Sequence, residues 1–141
     1  MITVNHYFMG RREQYPKALT PEIERNALLT VELVGKLLTQ ARSYGVPLDL
    51  NPKTGSLIAS GWRPPEFNAK VAGAAPNSKH MTGQAVDIYD PDGDLDDWLM
   101  TSEGQAALVA LNLWMEHPSA TKSWSHLQTL PPRSGRRVFY P

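Results

Sequence analysis

The sequence predicts an α+β fold in which helices cover one face of a small, mostly antiparallel sheet. Three observations support this prediction: one long stretch with helical periodicity, several short apolar runs with strand alternation, and turn residues between them. Helices packed on one face of an antiparallel sheet are typical of the α+β class. The chain has 141 residues, and we expect one domain, residues 1–141, around one core.

One amphipathic helix dominates the first half of the chain. Residues 1–19 show no regular pattern, and we expect them to be irregular. Thr20-Pro21-Glu22 is a helix start, with an N-cap threonine, a proline at the first helical position and an acid in the first turn. A helix of roughly 22 residues should follow and end before Gly45. Its apolar positions, spaced by three and four, are Ile23, Ala27, Val31, Val34, Leu38 and Ala41.

Short strands and helices alternate in the rest of the chain. A short helix or turn is expected at residues 67–71, and one or two helices at residues 95–112, with a break near Gly104. The turn residues Asp90, Asp92 and Asp94 lack the closing glutamate of a calcium loop and are predicted to be solvated. Strands are predicted at residues 57–60, 85–89, 113–116 and 123–128, with an edge strand at residues 138–140.

Composition limits the possible partners. The formal net charge is zero, so neither a nucleic acid nor an anionic membrane is an expected partner. The chain has no cysteine, so any metal site must use His, Asp or Glu. The N-terminus shows no signal-peptide pattern, so we expect synthesis in the cytoplasm, and no stretch is apolar enough for a transmembrane helix. We also expect a monomer.

Strand alternation predicts that polar side chains gather on the face away from the long helix. Asp87 lies on the opposite face from its apolar strand neighbours, and Glu116 and His126 do the same in their strands. His80 lies in the turn before the Asp87 strand. Gly83, in the same turn, is expected where a side chain would crowd a metal or a substrate.

A metal ion would explain a carboxylate on a buried strand. An ionised Asp87 in apolar surroundings costs several kcal/mol unless it is paired. Two imidazoles and one carboxylate suit zinc with a fourth position open for water. Structural interpretations stay open: Asp87 could cap backbone donors at a turn, and His126 could be a partly buried ring with a backbone partner.

Three sequence motifs occur in order. Residues 78–87 read SKHMTGQAVD and match S-x-H-x-x-G-x-A-x-D, and residues 124–126 match W-x-H. Upstream, residues 60–64 read SGWRP and match S-G-[aromatic]-R in their first four positions, followed by Asn68. Together these motifs resemble the zinc D-alanyl-D-alanine carboxypeptidases and their relatives, over roughly residues 57–128. The relatives include vancomycin-resistance D,D-peptidases, phage L-alanyl-D-glutamate endolysins and the Hedgehog-type signalling domain.

The resemblance implies one zinc ion bound by His80, Asp87 and His126. It also implies Arg63 as the clamp for a substrate carboxylate or carbonyl, since a planar guanidinium pairs with two oxygens. Without the motif, Arg63 would be interpreted as a surface cation beside two prolines.

Three further residues have two interpretations each. Ser78 either adds a hydrogen bond near the substrate or caps its own loop. Trp62 and Trp124 either line the substrate groove or pack in the core.

The catalytic carboxylate departs from the family pattern. Relatives often place it two or three residues before the last zinc histidine, where this chain has Trp124 and Ser123. Glu116, ten residues upstream of that histidine, is the substitute on the predicted site face, and its alternative role is a surface glutamate at a strand end. His117 becomes a second candidate if the strand breaks at Pro118.

The leading hypothesis is a zinc metallopeptidase that hydrolyses peptide-stem bonds of bacterial peptidoglycan, of the D,D-carboxypeptidase or L-Ala-D-Glu endopeptidase type. Glu116 would act as base and then as acid while Arg63 holds the substrate. The short chain, without an export signal or a wall-binding repeat, fits a phage enzyme that acts at the cell wall after lysis or is carried by the virion, and a bacterial origin is the open alternative. One alternative is an inactive zinc-containing binding or virion structural module of the same fold, and another is a metal-free domain.

Overall fold

The computed structural model describes residues 1–141. The helices are α1 (Val4–Phe8), α2 (Arg11–Gln14), α3 (Pro21–Ser43), α4 (Pro65–Asn68), α5 (Asp94–Leu99) and α6 (Ser102–Leu111). The strands are β1 (Ile58–Ser60), β2 (Ala85–Tyr89), β3 (Trp114–Glu116), β4 (Trp124–Gln128) and β5 (Val138–Phe139). None of the helices combines the length and the apolar character needed to cross a membrane.

The five strands form one sheet in the order β1-β2-β4-β3-β5. Three of the four neighbouring pairs are antiparallel, and only β3 and β5 run parallel. The helices and the mostly antiparallel sheet share one apolar core, which includes Leu37 and Leu38 from α3 and Val86 and Ile88 from β2. The α+β class predicted from the sequence is confirmed.

Helix α3 begins at the predicted residue. The side chain of Thr20 accepts a hydrogen bond from the backbone N–H of Ile23, at 3.1 Å, and Pro21 is the first helical residue. One stripe of the helix packs against the sheet, while Val31 and Ile23 are only half-buried. The buried residues of the stripe are Ala27, Thr30, Val34, Leu37, Leu38 and Ala41.

The prediction that residues 1–19 are irregular is wrong, because they form α1 and α2. These helices have five and four residues, too few to show a helical period in the sequence. Tyr7 and Phe8 are nevertheless fully buried or nearly so. The hydroxyl of Tyr7 donates to the backbone oxygen of Ala85 in β2, at 2.7 Å, so the N-terminal segment is fixed directly to the central sheet.

The break in the segment 95–112 falls at Met100–Thr101 and not at Gly104. Thr101 caps α6 by accepting a hydrogen bond from the Gly104 N–H, at 3.2 Å. A Cβ at position 104 would overlap the backbone of Trp98 and Leu99 in α5. The glycine is therefore explained by the close packing of two helices.

Candidate metal centre

Five residues in register form a line across the sheet, on the face away from the core. Ser60 pairs with Asp87, and Asp87 pairs with His126. Glu116 follows beside His126, because the preceding residues of β3 are in register with β4, and it pairs with Phe139. Strand alternation thus places Asp87, His126 and Glu116 in one row on the same face of the sheet, as the sequence indicated.

The predicted ligand atoms converge on one point. Asp87 Oδ1 lies 3.3 Å from His80 Nε2 and 2.9 Å from His126 Nδ1. One ligand atom from each of the three residues lies within 4.8 Å of the other two. His80, Asp87 and His126 are 3%, 6% and 7% exposed, so the site is largely shielded from water.

The ring of His80 is oriented by a backbone carbonyl. His80 Nδ1 lies 2.8 Å from the oxygen of Gly61. A carbonyl oxygen only accepts hydrogen bonds, so Nδ1 carries the hydrogen and donates. In a neutral ring, Nε2 therefore presents its lone pair towards Asp87.

The ring of His126 is oriented in the same way by a side chain. His126 Nε2 lies 2.8 Å from the amide oxygen of Gln128, whose own nitrogen donates to the oxygen of Leu130 at 2.8 Å. The amide oxygen faces the ring, so Nε2 donates and Nδ1 presents its lone pair towards Asp87. Two lone pairs and a carboxylate directed at one point repel each other unless a cation or added protons neutralise them, and this donor set fits a zinc ion.

The acid–base properties of the site follow from the same contacts. Burial acts to raise the pKa of Asp87, but the charges and hydrogen bonds of His80 and His126 outweigh it and hold that pKa well below its usual range. Burial acts to lower the pKa of His126, but the hydrogen bond and charge of Asp87, helped by Glu116, raise it to about 9. The centre therefore favours positive charge beside Asp87.

Arg63 holds the second oxygen of the same carboxylate. Its Nη2 donates to Asp87 Oδ2 at 3.2 Å, and its Nε donates to Ser60 Oγ at 3.0 Å. The backbone N–H of Arg63 donates to the oxygen of His80 at 3.0 Å. The guanidinium keeps Nη1 for another partner, and its side chain is 13% exposed.

Glu116 lies beside the three candidate ligands, whereas His117, the next residue in the chain, lies away from them. Glu116 Oε1 is 3.8 Å from His126 Nδ1, and its side chain is 19% exposed, so water can reach it. Strand β3 ends at Glu116, before Pro118. His117 is half-buried, accepts a hydrogen bond from the Ser119 N–H at 3.1 Å and stacks on Tyr140, so it forms a local turn contact outside the cluster.

The three other residues predicted to contact the substrate have different environments in the structure. Trp62 is completely buried and packs edge-on against Phe8, so a place in the groove is wrong for this residue and its role is core packing. Trp124 is half-buried, on the site face of β4. Ser78 Oγ accepts a hydrogen bond from the backbone N–H of His80, at 3.2 Å, and thus caps the turn that carries the ligand.

Gly83 faces helix α3, so the expectation that it makes room for a metal or substrate is wrong. Its φ of +78° is in the left-handed region, which favours glycine. A Cβ there would meet the backbone oxygen of Ile23 at 2.8 Å and the nitrogen of Ala27 at 3.2 Å. No local sequence pattern indicated this contact, because Ile23 and Ala27 lie more than 50 residues upstream of Gly83.

Comparison with known proteins identifies the family. The sequence profile of the family described as Peptidase M15 matches residues 17–109, about two thirds of the chain. The chain belongs to the peptidase M15 family. This confirms the predicted zinc D-alanyl-D-alanine carboxypeptidase-like family. The search of curated proteins and the search of solved structures found no match.

The M15 match covers only part of the site. It includes Arg63, His80 and Asp87 and ends before Glu116 and His126. The case for those two residues therefore rests on register and distance in this chain. Gln128 was missed by the sequence analysis, although its place two residues after His126 on the same strand face was a usable signal.

Proposed function

We propose that this M15 protein is a zinc-dependent peptidase that hydrolyses peptide-stem bonds of bacterial peptidoglycan. The observation that carries the proposal is the convergence of His80, Asp87 and His126 on one point, with Glu116 beside them on the open face of the sheet. Membership of the M15 family supports a metallopeptidase with this donor set.

The three donors suit a single divalent ion. His80 would bind through Nε2, His126 through Nδ1 and Asp87 through Oδ1, because these atoms face each other. Zinc bound by two imidazoles and one carboxylate polarises a carbonyl and lowers the pKa of a bound water towards about 7. Asp87 Oδ2 stays bound to Arg63, which favours binding through one oxygen only.

Glu116 is the general base and then the general acid of this proposal. Its carboxylate takes a proton from the attacking water and returns it to the nitrogen of the leaving amine, so the proton balance closes within one turnover. Its partial exposure gives the proton access to the substrate side of the site. Asp87 is the carboxylate of the converging ligand group, and Glu116 is the acid beside that group, 3.8 Å from His126 Nδ1.

Arg63 would fix the substrate through its remaining nitrogen, Nη1. With Nε and Nη2 bound to Ser60 and Asp87, the guanidinium is held rigidly, so a substrate carbonyl or carboxylate meets a pre-oriented donor. Trp124 lies on the same face and would contact the apolar part of the stem peptide. This activity would be exercised at the bacterial cell wall, which a phage-encoded enzyme would reach after lysis or from the virion.

Digestion of purified peptidoglycan, followed by mass spectrometry of the fragments, tests the proposal. The zinc-loaded protein should release either D-alanine or fragments with a new amino terminus at D-glutamate, and the product identifies the bond. Glu116→Gln should lower turnover by about 10²–10⁴-fold, because it removes the general base. The variant should still bind zinc, since Glu116 is not one of the three ligands.

Two results would contradict this proposal. Zinc-loaded protein that leaves peptidoglycan intact would favour an inactive zinc-containing module. Unchanged turnover in Glu116→Gln would assign the proton transfer to a different group.

A further inference from the structure

A buried glutamine lies directly behind the candidate metal centre. Gln128 is the last residue of β4 and is 5% exposed. In the sheet it lies between Ala85 of β2 and Trp114 of β3, on the same face as His126. A polar amide in this position needs partners, because a buried polar group without hydrogen bonds is costly.

Both ends of the amide are used in one chain of hydrogen bonds. The amide oxygen of Gln128 lies 2.8 Å from His126 Nε2, and the amide nitrogen donates to the oxygen of Leu130 at 2.8 Å. The backbone carbonyl of Leu130 can only accept, so it fixes which end of the amide faces the ring. The ring nitrogen on that side must therefore donate.

The position of this hydrogen determines whether the other ring nitrogen of His126, Nδ1, can bind a metal. A neutral imidazole carries one hydrogen, and when Nε2 holds it, Nδ1 has the free lone pair that a metal requires. Nδ1 is the atom that lies 2.9 Å from Asp87 Oδ1. Without an acceptor behind Nε2, the hydrogen could move to Nδ1 and be donated to Asp87, which would block the ligand atom.

We propose that Gln128 is a positioning residue, which fixes the hydrogen of His126 on Nε2 and thereby keeps Nδ1 available to the metal. The inference rests on the proposed zinc site. It adds a residue outside the three ligands, and it assigns to Leu130 the role of orienting the amide. Residues that bind the far nitrogen of a metal-bound histidine in this way raise ligand basicity and fix ring orientation.

The test compares zinc affinity in four variants. Gln128→Met keeps roughly the length of the side chain but replaces the amide with a thioether, which is a weak acceptor, and Gln128→Leu removes the acceptor altogether. Gln128→Glu keeps an oxygen that accepts from Nε2. Gln105→Leu is the control, because Gln105 is a half-buried glutamine that donates to the backbone oxygen of Leu99 and contacts no histidine.

Two measurements are made on each protein. The dissociation constant for zinc is obtained by competition with a chromophoric chelator, and the cobalt-substituted protein gives a visible absorption spectrum that reports the ligand geometry. Thermal unfolding of the metal-free proteins separates a loss of fold from a loss of metal affinity.

We expect Gln128→Met and Gln128→Leu to bind zinc about 10–100-fold more weakly than the wild type, with an altered cobalt spectrum. Gln105→Leu should keep the affinity and the spectrum of the wild type, and Gln128→Glu should bind zinc at least as tightly as the wild type, because its carboxylate still accepts from Nε2. If one apolar variant fails to fold, the other and Gln128→Glu still decide the outcome.

Wild-type zinc affinity in a folded Gln128→Met or Gln128→Leu would overturn the inference while leaving the zinc site intact. Equal weakening in Gln128→Met and Gln128→Glu would also overturn it, because the glutamate retains the acceptor. Absence of zinc binding in the wild type would instead remove the proposed function itself.

Discussion

At Gly61 the chain has no room for a side chain, because a Cβ would overlap the backbone carbonyl of Tyr7. That carbonyl accepts the N–H of Trp62, at 3.1 Å, so the N-terminal helix and the motif segment are in direct backbone contact. The oxygen of Gly61 in turn accepts the hydrogen bond from His80 Nδ1. A single glycine of the S-G-[aromatic]-R motif therefore joins the N-terminal segment to a candidate ligand.

Gly61→Ala should destabilise the protein by about 1–3 kcal/mol, because the added methyl group forces the backbone of residue 7 or 61 to move. Gly35→Ala is the matched control: Gly35 lies within α3, and nothing lies within 4 Å of its added Cβ. The control should stabilise the protein by about 0.5–1 kcal/mol, as expected for alanine in a helix. Urea unfolding of both variants checks this, and equal stability of Gly61→Ala and the wild type would contradict it.

At the scale of elements, helix α3 holds the turn that carries His80. The hydroxyl of Thr30 donates to the oxygen of Gly83 at 2.8 Å, and the side chain of Asn26 donates to the oxygen of Thr82 at 3.0 Å. Gly83 lies against the same helix. The long helix thus covers the sheet, as its periodicity predicted, and also fixes the ligand-bearing turn, which periodicity could not indicate.

Thr30→Val should cost about 1–3 kcal/mol in the free energy of unfolding, because it keeps the shape but leaves the buried carbonyl of Gly83 without its donor. Thr39→Val, on the exposed side of α3, removes a hydroxyl that donates to the oxygen of Gly35 and should change stability by less than about 0.5 kcal/mol. Chemical denaturation of the two variants measures the difference. If Thr30→Val costs as little stability as Thr39→Val, the hydrogen bond from Thr30 to Gly83 does not hold the turn.

A buried polar cluster connects the end of β2, the start of α5 and strand β4. Asp90 accepts the N–H groups of Leu95 and Asp96, at 3.0 and 2.9 Å, so its expected solvation is wrong and it caps a helix. Ser125 Oγ lies 2.6 Å from Asp96 Oδ1 and 3.2 Å from Asp90 Oδ2, and Thr121 donates to Asp96 Oδ2. Ser125 is the neighbour of His126, so this cluster fixes the strand that carries a candidate ligand.

The stability of this cluster should depend on pH. Burial, with the charges of Asp90 and Asp97, raises the pKa of Asp96 to about 6, although the Ser125 and Thr121 hydrogen bonds oppose the shift. A folded-state pKa above the unfolded value of 3.8 means that the native state holds the proton more tightly. The contribution of Asp96 to stability is therefore full below about pH 4 and is lost as the pH rises through about 6.

Asp96→Asn lacks this titration, so the stability of the wild type minus that of the variant should fall between about pH 4 and 6 and then level off. Urea unfolding of both proteins across this pH range gives the difference directly, with one metal chelator present in every sample. A pH-independent difference would contradict the assignment.

At the scale of the whole molecule, the sequence predicted the parts of the site that obey local rules. Alternation along β2, β3 and β4 indicated that Asp87, Glu116 and His126 share a face, because the side-chain period of a strand is two. The structural contacts of Trp62 and Gly83 could not be predicted, since they depend on α1 and α3, which are distant in sequence. The short N-terminal helices were missed for a different reason, namely that they contain about one turn each.

The candidate site also includes residues that lie beyond the segment matched by the family. The M15 match ends at residue 109, but β3 and β4 supply Glu116 and His126. The sheet order places β4 in the centre, between β2 and β3, so the latter half of the chain completes the row begun by Ser60 and Asp87. The fold thus joins a family-matched segment to residues beyond it.

The most direct measurement of the central claim is the anomalous scattering of zinc in crystals of the zinc-loaded protein. We expect one peak at about 2.0–2.2 Å from His80 Nε2, Asp87 Oδ1 and His126 Nδ1. Asp49, Asp92 and Asp94 form a second group whose carboxylate oxygens lie within 4.8 Å of one another, and a peak only there, or no peak at all, would contradict the proposed site.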